Sequence, residues 1–540
     1  MYFLFIIGEK AVIIAMNTRG LSLPLESSLV SYQLEMLRQA ALASLECHTT
    51  LNKWDGALVQ NTPTRNILWI CADDFSCEAC QPYGNRIAQT PHINRLATES
   101  VRFDRAYCTA PLSTPSRQSF LTGKFPWSIG VTLSPTPLPD YELTIADRLR
   151  RHGYHTAAFG KTHYYADLKH RFDKAIDHRD HAEWLETHGE SSLPPSTPNG
   201  KVLPDWRPFF DPAAVWLNSM VWPYAASDEQ MYGTYVAQSA VEFLSKPPVE
   251  PFFAYVAFHE THSPFHFPVN FEYRCKPECV EPPEPRVEHS KIPEIFESLT
   301  WKEKQGIIAS YHTCASYMDK NIGLILDALR KYKLVENTLV IFTSDHGYLL
   351  GQRGRFEKHC CYEPAVRVPF LLRVPGDTAG GAACDKLVSL VDIVPTLLDF
   401  CDIQIPRELP GRSLWPLVIG ETSDWRRELI SHYAYNEEAC LVEEQWKLVY
   451  GTGACYWDDG YQLRNPVFGP KFELYDLKND PDEVINLAET SKEQQRAMRM
   501  LESLEEAILK THINQNAIAS RGGSLFERLN ACLAPPEILL

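Results

Sequence analysis

The sequence predicts an α/β fold: a large, mainly parallel sheet flanked by helices, with a smaller C-terminal α+β domain. Three observations carry this. Short continuous apolar runs alternate with stretches of helical period, the pattern of strands buried on both faces of a parallel sheet. The four clearest runs each end in acids, histidines or a lysine rather than in a neutral turn. Beyond roughly residue 400 the alternation gives way to strand-like segments followed by one long helical stretch.

Taken in chain order, the first strand is Asn66-Ile67-Leu68-Trp69-Ile70-Cys71-Ala72, which stops at Asp73-Asp74. A helix over 143–152 precedes a strand over 155–159 that runs into Gly160-Lys161-Thr162-His163. A helix over 231–245 precedes a strand over 252–258, followed by His259-Glu260-Thr261-His262-Ser263-Pro264. A helix over 318–332 precedes a strand over 339–343, followed by Ser344-Asp345-His346-Gly347. Ligands of open α/β sheets bind beyond the carboxyl ends of the strands, so these four ends deliver acids, histidines and a lysine to one rim.

The irregular stretch 164–226, rich in proline and carrying Trp206, Trp216 and Trp222, reads as an insertion that forms a lid. Lys447-Leu448-Val449-Tyr450 and Phe472-Glu473-Leu474-Tyr475 read as strands, and 491–510 as a helix. The expected organisation is a leader over 1–62, a catalytic domain over 63–400, a smaller domain over 401–510, and a tail over 511–540 with no clear period. Within the leader, 34–45 is amphipathic. The first 16 residues are apolar but broken by Gly8-Glu9-Lys10; they lack a basic start and a cleavage site, and Met16 is an equally suitable start. That stretch is too short to cross a bilayer, and no later one reaches spanning length without charges, so a soluble protein is expected.

A net charge of −16 over 540 residues argues against a general nucleic-acid binder. An anionic substrate would need a local cluster of cations. Fifteen cysteines, an odd number without framework spacing and with Cys360-Cys361 adjacent, argue against a disulfide scaffold. A reducing compartment is expected, the cytoplasm first and the periplasm as the alternative. Cys77-x-x-Cys80 and Cys275-x3-Cys279 read as buried thiols rather than a zinc site.

Ser113-Thr114-Pro115-Ser116-Arg117, with Thr122-Gly123 beyond, places a hydroxyl at the start of a helix: Pro115 suits the first turn and Gly123 the stop. Alone, Ser113 reads as a helix cap. Beside the four strand ends it reads as a nucleophile at a helix start that favours anions. Asp73, Asp74 and Asp345 offer hard oxygens suited to calcium or magnesium, whereas His346 suits zinc or manganese better. Lys161, Lys358 and Arg117 are candidates to grip an anionic group, with His163 and His262 as acid–base groups. Of the neighbours His259 and His262, only one need face the site. The residues alone reach a metal-assisted hydrolase of an anionic ester.

These segments together resemble the sulfatase family of the alkaline phosphatase superfamily. The resemblance rests on Ser113-x-Pro115-x-Arg117…Thr122-Gly123, Asn66 to Asp74, Gly160-Lys161-x-His163 and Thr261-His262-x-Pro264. It continues through Thr343-Ser344-Asp345-His346-Gly347, Lys358-x3-Tyr362-Glu363-x2-Val366-Arg367-x-Pro369 and Val391-Asp392-Ile393-Val394-Pro395-Thr396. The last match is Glu473-Leu474-Tyr475-Asp476-Leu477…Asp480-Pro481…Asn486-Leu487, so the set runs in order over roughly 64–490. The resemblance implies that Ser113 is oxidised to formylglycine by a maturase. The hydrated aldehyde would attack sulfur, and its second hydroxyl would later expel sulfate. Asp73, Asp74, Asp345 and His346, beside Ser113, would hold a divalent metal, typically calcium, with magnesium or manganese as alternatives. Arg117 and Lys161 would orient the formylglycine and His163 would be the base of the elimination. His262 and Lys358 would bind the sulfate oxygens, one of them assisting the leaving alcohol. The substrate class implied is a small-molecule or carbohydrate sulfate ester. Serine at the modified position, where cysteine is commoner, implies an oxygen-independent bacterial maturation. A phosphonate or phosphate diester hydrolase on the same scaffold is the alternative activity. A non-catalytic anion-binding protein is a third reading, against which the complete set of acidic and basic residues speaks.

Overall fold

The computed structural model describes residues 2–7, 10–15 and 65–536, except for 164–169, 189–216, 225, 273, 288–291, 377–379, 422–423, 455–460, 462 and 464–468. The amphipathic stretch 34–45, Trp206 and Trp216 lie outside the described residues. Residues 1–63 and 64–540 form separate compact units. In the first, strands β1 (Tyr2–Ile7) and β2 (Lys10–Ala15) pair antiparallel with Ile7 opposite Lys10.

The second unit is built on a nine-stranded sheet. Its strands are β3 (Asn66–Ala72), β4 (Val101–Tyr107), β5 (His155–Gly160), β6 (Lys174–Ile176), β7 (Phe252–Ala257), β8 (Thr338–Ser344), β9 (Arg367–Arg373), β10 (Ala383–Cys384) and β11 (Val388–Ser389). The order is β10-β4-β9-β8-β3-β7-β5-β6, with β11 also pairing with β4. The four strands expected from the apolar runs are contiguous, β8-β3-β7-β5, and mutually parallel, so their carboxyl ends share one rim. Every residue of β3, β7 and β8 is buried, which is why they read as unbroken apolar runs.

Alternate residues of β3 feed two cores. Leu68 and Ile70 pack with helices α2 (Tyr232–Ser245) and α3 (Trp301–Lys331). Ile67 and Trp69 pack with Phe120 and Leu121 of helix α1 (Ser113–Thr122). Helix α3 is longer than the period over 318–332 indicated. Its earlier turns are buried almost without interruption from Gly306 to Asp319, and a helix apolar on all sides shows no amphipathic stripe.

Strand β9 alone in the interior runs antiparallel to both neighbours, β4 and β8. It also contains Pro369, which has no N–H for a ladder bond. The sheet accommodates it with a bulge: Phe103 pairs with Phe370 and Ala106 with Val368, so Asp104 and Arg105 lie across from Pro369.

A separate antiparallel sheet follows, in the order β12 (Glu428–Tyr433), β13 (Glu438–Glu443), β14 (Trp446–Gly451) and β15 (Lys471–Asp476). One face buries Leu441, Leu448 and Leu474 against Met500, Leu501, Leu504 and Ile508 of α4 (Gln494–Leu509). Two further helices, α5 (Gln515–Arg521) and α6 (Leu525–Leu533), lie within the tail, and Leu529 and Leu533 join the same core. Among the described residues no helix is long and apolar enough to cross a membrane, and the described cysteines are all unpaired.

Candidate active site

Helix α1 begins one residue earlier than a capping role for Ser113 requires: Leu112 is the cap and Ser113 is the first helical residue. The helix stops at Gly123, whose φ of +73° is the left-handed conformation that ends helices. All ten residues of α1 are buried, so it is a rigid support. The Ser113 hydroxyl is left free to point at the rim, where Oγ lies 3.0 Å from Asp73 Oδ1 and 3.0 Å from His346 Nε2.

The acids converge from two adjacent strand ends. Asp73 and Asp74 follow β3, and Asp345 and His346 follow β8. Their ligand atoms lie within 4.8 Å of one another, and all four residues are buried. Asp74 holds a left-handed backbone, φ 58°, a costly conformation for a non-glycine residue that turns the chain sharply after the strand. Backbone N–H groups of Asp74 and His346 donate to Asp345 Oδ1 at 3.2 and 2.9 Å. The Tyr311 hydroxyl on α3 donates to the Asp74 carbonyl at 2.5 Å, a support the sequence pattern did not signal.

Three cations face these three acids. Lys161 donates to Asp73 Oδ2, Lys358 Nζ to Asp74 Oδ1 at 2.7 Å, and Arg117 Nε to Asp345 Oδ2 at 2.8 Å. Arg117 has no exposed surface, and its other N–H groups donate to the Lys161 carbonyl, the Tyr255 hydroxyl and the Ala72 carbonyl. The expectation that Arg117 grips a substrate anion is therefore corrected: its donors are spent on the protein, and it locks the acids in place. Lys161 is delivered by Gly160, whose φ is +100° and whose absent Cβ would lie 2.0 Å from the Ala257 carbonyl oxygen. No other residue lets β5 leave the sheet so close to β7.

Electrostatics follow from this packing. Burial disfavours charge on Asp73, but Lys161 and then Arg117 outweigh it and hold its carboxyl well below the usual range. Burial pushes Asp345 up to about 7, with Arg117 opposing and the two neighbouring aspartates adding to the rise. His346 is pushed down to about 3 by burial and then by Lys358. Its Nδ1 lies 3.0 Å from the Gly347 carbonyl, which accepts only, so Nδ1 carries the proton and Nε2 presents a lone pair to the acids. His163 is held low by burial and Lys161, and His262 by burial, Lys358 and Lys161. His259 stands beside His262 with ring centroids 5.0 Å apart.

The cluster fits a divalent cation. Asp74 Oδ2 is buried without a hydrogen-bond partner, the state of a carboxylate oxygen meant for a cation. Three carboxylates form a hard donor set, to which one neutral imidazole nitrogen adds a borderline donor.

The fold is that of known hydrolases. The sulfatase family model matches residues 65–403, more than half of the chain. The chain belongs to the sulfatase family. A second model, N-sulphoglucosamine sulphohydrolase, C-terminal, matches 351–510 of this sulfatase. An N-acetylglucosamine-6-O-sulfatase of Bacteroides thetaiotaomicron is 26% identical over 526 residues, covering 83% of this chain and 87% of that protein. An arylsulfatase of Clostridium perfringens is 28% identical over 462 residues, covering 80% and 92%. Among solved structures, a phosphonate monoester hydrolase of Silicibacter pomeroyi shares the fold with a TM-score of 0.69 at 21% identity, over 84% of this chain and 97% of that one. The sulfatase is a sulfuric ester hydrolase, and its buried acid–histidine cluster is compatible with a bound metal.

Proposed function

We propose that this sulfatase hydrolyses sulfate esters of saccharides, with Ser113 matured to formylglycine by a partner enzyme and a calcium ion held by Asp73, Asp74, Asp345 and His346. The observation that carries the reading is the position of Ser113 Oγ, 3.0 Å from both Asp73 and His346 at the head of a buried helix. The saccharide class is supported by the N-acetylglucosamine-6-O-sulfatase likeness. Formylglycine supplies, as a hydrated aldehyde, one oxygen to attack sulfur and a second hydroxyl whose deprotonation breaks the resulting sulfate ester.

Charge balance supports the assignment. Three carboxylates already face Arg117, Lys161 and Lys358, so a divalent cation adds a surplus of two positive charges. A monoanionic sulfate ester and one ionised nucleophile oxygen restore neutrality. Lys161 orients the nucleophile and Lys358 binds a sulfate oxygen. His262 donates Nδ1–H to the Ser263 carbonyl at 2.7 Å, which leaves Nε2 toward the rim. The lysines beside it disfavour its protonation, and an arriving sulfate reverses that local field. His262 then gains its proton with substrate bound and passes it to the leaving alcohol oxygen. His163, kept neutral by burial and Lys161, takes the proton in the elimination that frees sulfate.

The test is the mass of the tryptic peptide Ala106–Arg117 from protein made in its native host, with rates on an aryl sulfate and an aryl phosphonate. Loss of two hydrogens at Ser113 with the sulfate preferred upholds the proposal. An unmodified serine removes the formylglycine step, and preference for the phosphonate replaces the substrate class.

A further inference from the structure

Glu473-Leu474-Tyr475-Asp476-Leu477…Asp480-Pro481…Asn486-Leu487 takes no part in the chemistry above, and neither does the four-stranded sheet that carries it. Their contacts nevertheless converge on three consecutive residues that follow Lys358. The Cys361 N–H donates to Glu438 Oε1 of β13 at 2.6 Å. The Tyr362 hydroxyl donates to Glu473 Oε2 of β15 at 3.1 Å. The Glu363 N–H donates to Glu483 Oε2, just beyond β15, at 2.7 Å. The Glu363 carboxylate in turn accepts from Lys447 Nζ of β14 at 3.1 Å, and that ammonium lies 2.8 Å from Glu483. Lys447 has no exposed side-chain surface. From the other side Arg353 stacks on the Tyr362 ring at 3.8 Å and donates to its hydroxyl at 3.1 Å.

On the other side of Lys358 the Glu357 carbonyl accepts from Leu349 N at 2.7 Å; Lys358 itself adds a backbone carbonyl that accepts from Cys360 N at 2.8 Å and an ammonium that pairs with Asp74. The Lys358 ammonium sits on a flexible four-carbon stem, so its reach is set by where the backbone of 358–363 is held. We propose that the C-terminal sheet is the positioning device for Lys358, acting through Glu438, Lys447, Glu473 and Glu483. None of the four touches the substrate. They fix the segment from which the sulfate-binding ammonium projects, and a displacement of an ångström there is enough to lose a sulfate contact. The inference rests on the reading of Lys358 as a sulfate-binding residue.

The experiment measures KM and kcat for an aryl sulfate, and inhibition by inorganic sulfate, in the matured full chain. The variants are Glu438→Ala, Lys447→Met, Lys447→Arg and, as reference, Lys358→Ala. Misplacing one charge-assisted hydrogen bond raises KM and the sulfate inhibition constant about tenfold. Glu438→Ala and Lys447→Met are expected to show that rise, and Lys447→Arg to restore most of it. A merely structural role lowers kcat with the folded fraction and leaves KM and sulfate inhibition unchanged; that result in Glu438→Ala overturns the inference. If Lys447→Met does not fold, Glu438→Ala decides. Lys358→Ala with unchanged KM and sulfate inhibition overturns the reading of Lys358 itself. Lys358→Ala impaired while Glu438→Ala is not overturns the positioning role alone.

Discussion

Two buried charge clusters in this sulfatase are built from the same materials and do opposite work. At the rim, Asp73, Asp74 and Asp345 face Arg117, Lys161 and Lys358; under the C-terminal sheet, Glu363 and Glu483 share Lys447, with Arg367 3.8 Å from Glu363. The second is closed only at its centre, with Lys447 and Glu483 at 0 and 1% side-chain exposure, while Glu363 and Arg367 keep 11 and 30%. The first is buried throughout, Ser113, Lys161 and Lys358 keeping 4, 9 and 5% of their surface, yet Asp74 Oδ2 has no hydrogen-bond partner. Burial of charge does not by itself mark a site. A carboxylate oxygen with neither a hydrogen bond nor an ion pair does, because it is costly until something enters to complete it.

Damage to the two clusters should therefore divide differently between loss of turnover and loss of stability. The largest effect is expected at the proposed nucleophile: Ser113→Ala loses turnover by on the order of 10⁴-fold or more while its thermal midpoint stays near that of the parent. Parent-like rates in Ser113→Ala would dissolve the comparison. Next is removal of the proposed metal. Chelation should abolish activity and lower the melting temperature. Calcium at a hundredfold excess over its Kd should then restore about 2.7 kcal/mol of stability. Asp74→Asn should fail to regain that increment in the same calorimetric titration. Closed-cluster damage should weigh on stability first, beside the rise in KM expected of Lys447→Met. Lys447→Met leaves two buried carboxylates without their ammonium and should cost about 3–5 kcal/mol in denaturant unfolding. The smallest effect is a displacement in pH. His163 is held below the ordinary histidine value of 6.5 by burial and Lys161. It therefore remains an unprotonated base as pH falls through 6.5, and the acid limb of kcat should lie below that value. A limb at or above 6.5 that disappears in His163→Ala would show that His163 titrates without the depression.

The same contrast explains what the sequence disclosed. β8, β3, β7 and β5 were legible because burial on both faces leaves an unbroken apolar run, and their polar ends then stood out as a rim. β4 was not, since its burial alternates and it carries Arg102, Asp104 and Arg105. β9 was masked by Pro369, which reads against an interior strand unless the bulge across from it is known. α5 and α6 are short and have no apolar stripe long enough to register against the background of the tail. At the site, the order of the motifs brought together Ser113, the four ligand candidates, Lys161, His262 and Lys358. Composition could not distinguish a cation that meets substrate from one that is spent, and that distinction moved Arg117 from grip to brace. Tyr255 and Tyr311 support the acids from strand and helix interiors, where an aromatic residue looks like ordinary core.

The reversed direction of β9 has a consequence for how new specificities can arise in this scaffold. β8 leaves the sheet at the rim and β9 re-enters it next door, antiparallel, so the connection from 345 to 366 never crosses a face of the sheet. That connection is self-closing: Leu349 N bonds the Glu357 carbonyl at 2.7 Å and Gly351 N the Arg355 carbonyl at 2.8 Å. One short excursion, with its ends about one strand spacing apart, thus carries two metal-ligand candidates at its start and Lys358 near its end. It behaves as a cassette. Exchange of the whole excursion, tip included, keeps the nine-stranded frame and its register, whereas an insertion at 352–354 would displace Arg353, which is buried and bonds the Tyr362 hydroxyl at 3.1 Å, and with it the segment of Lys358.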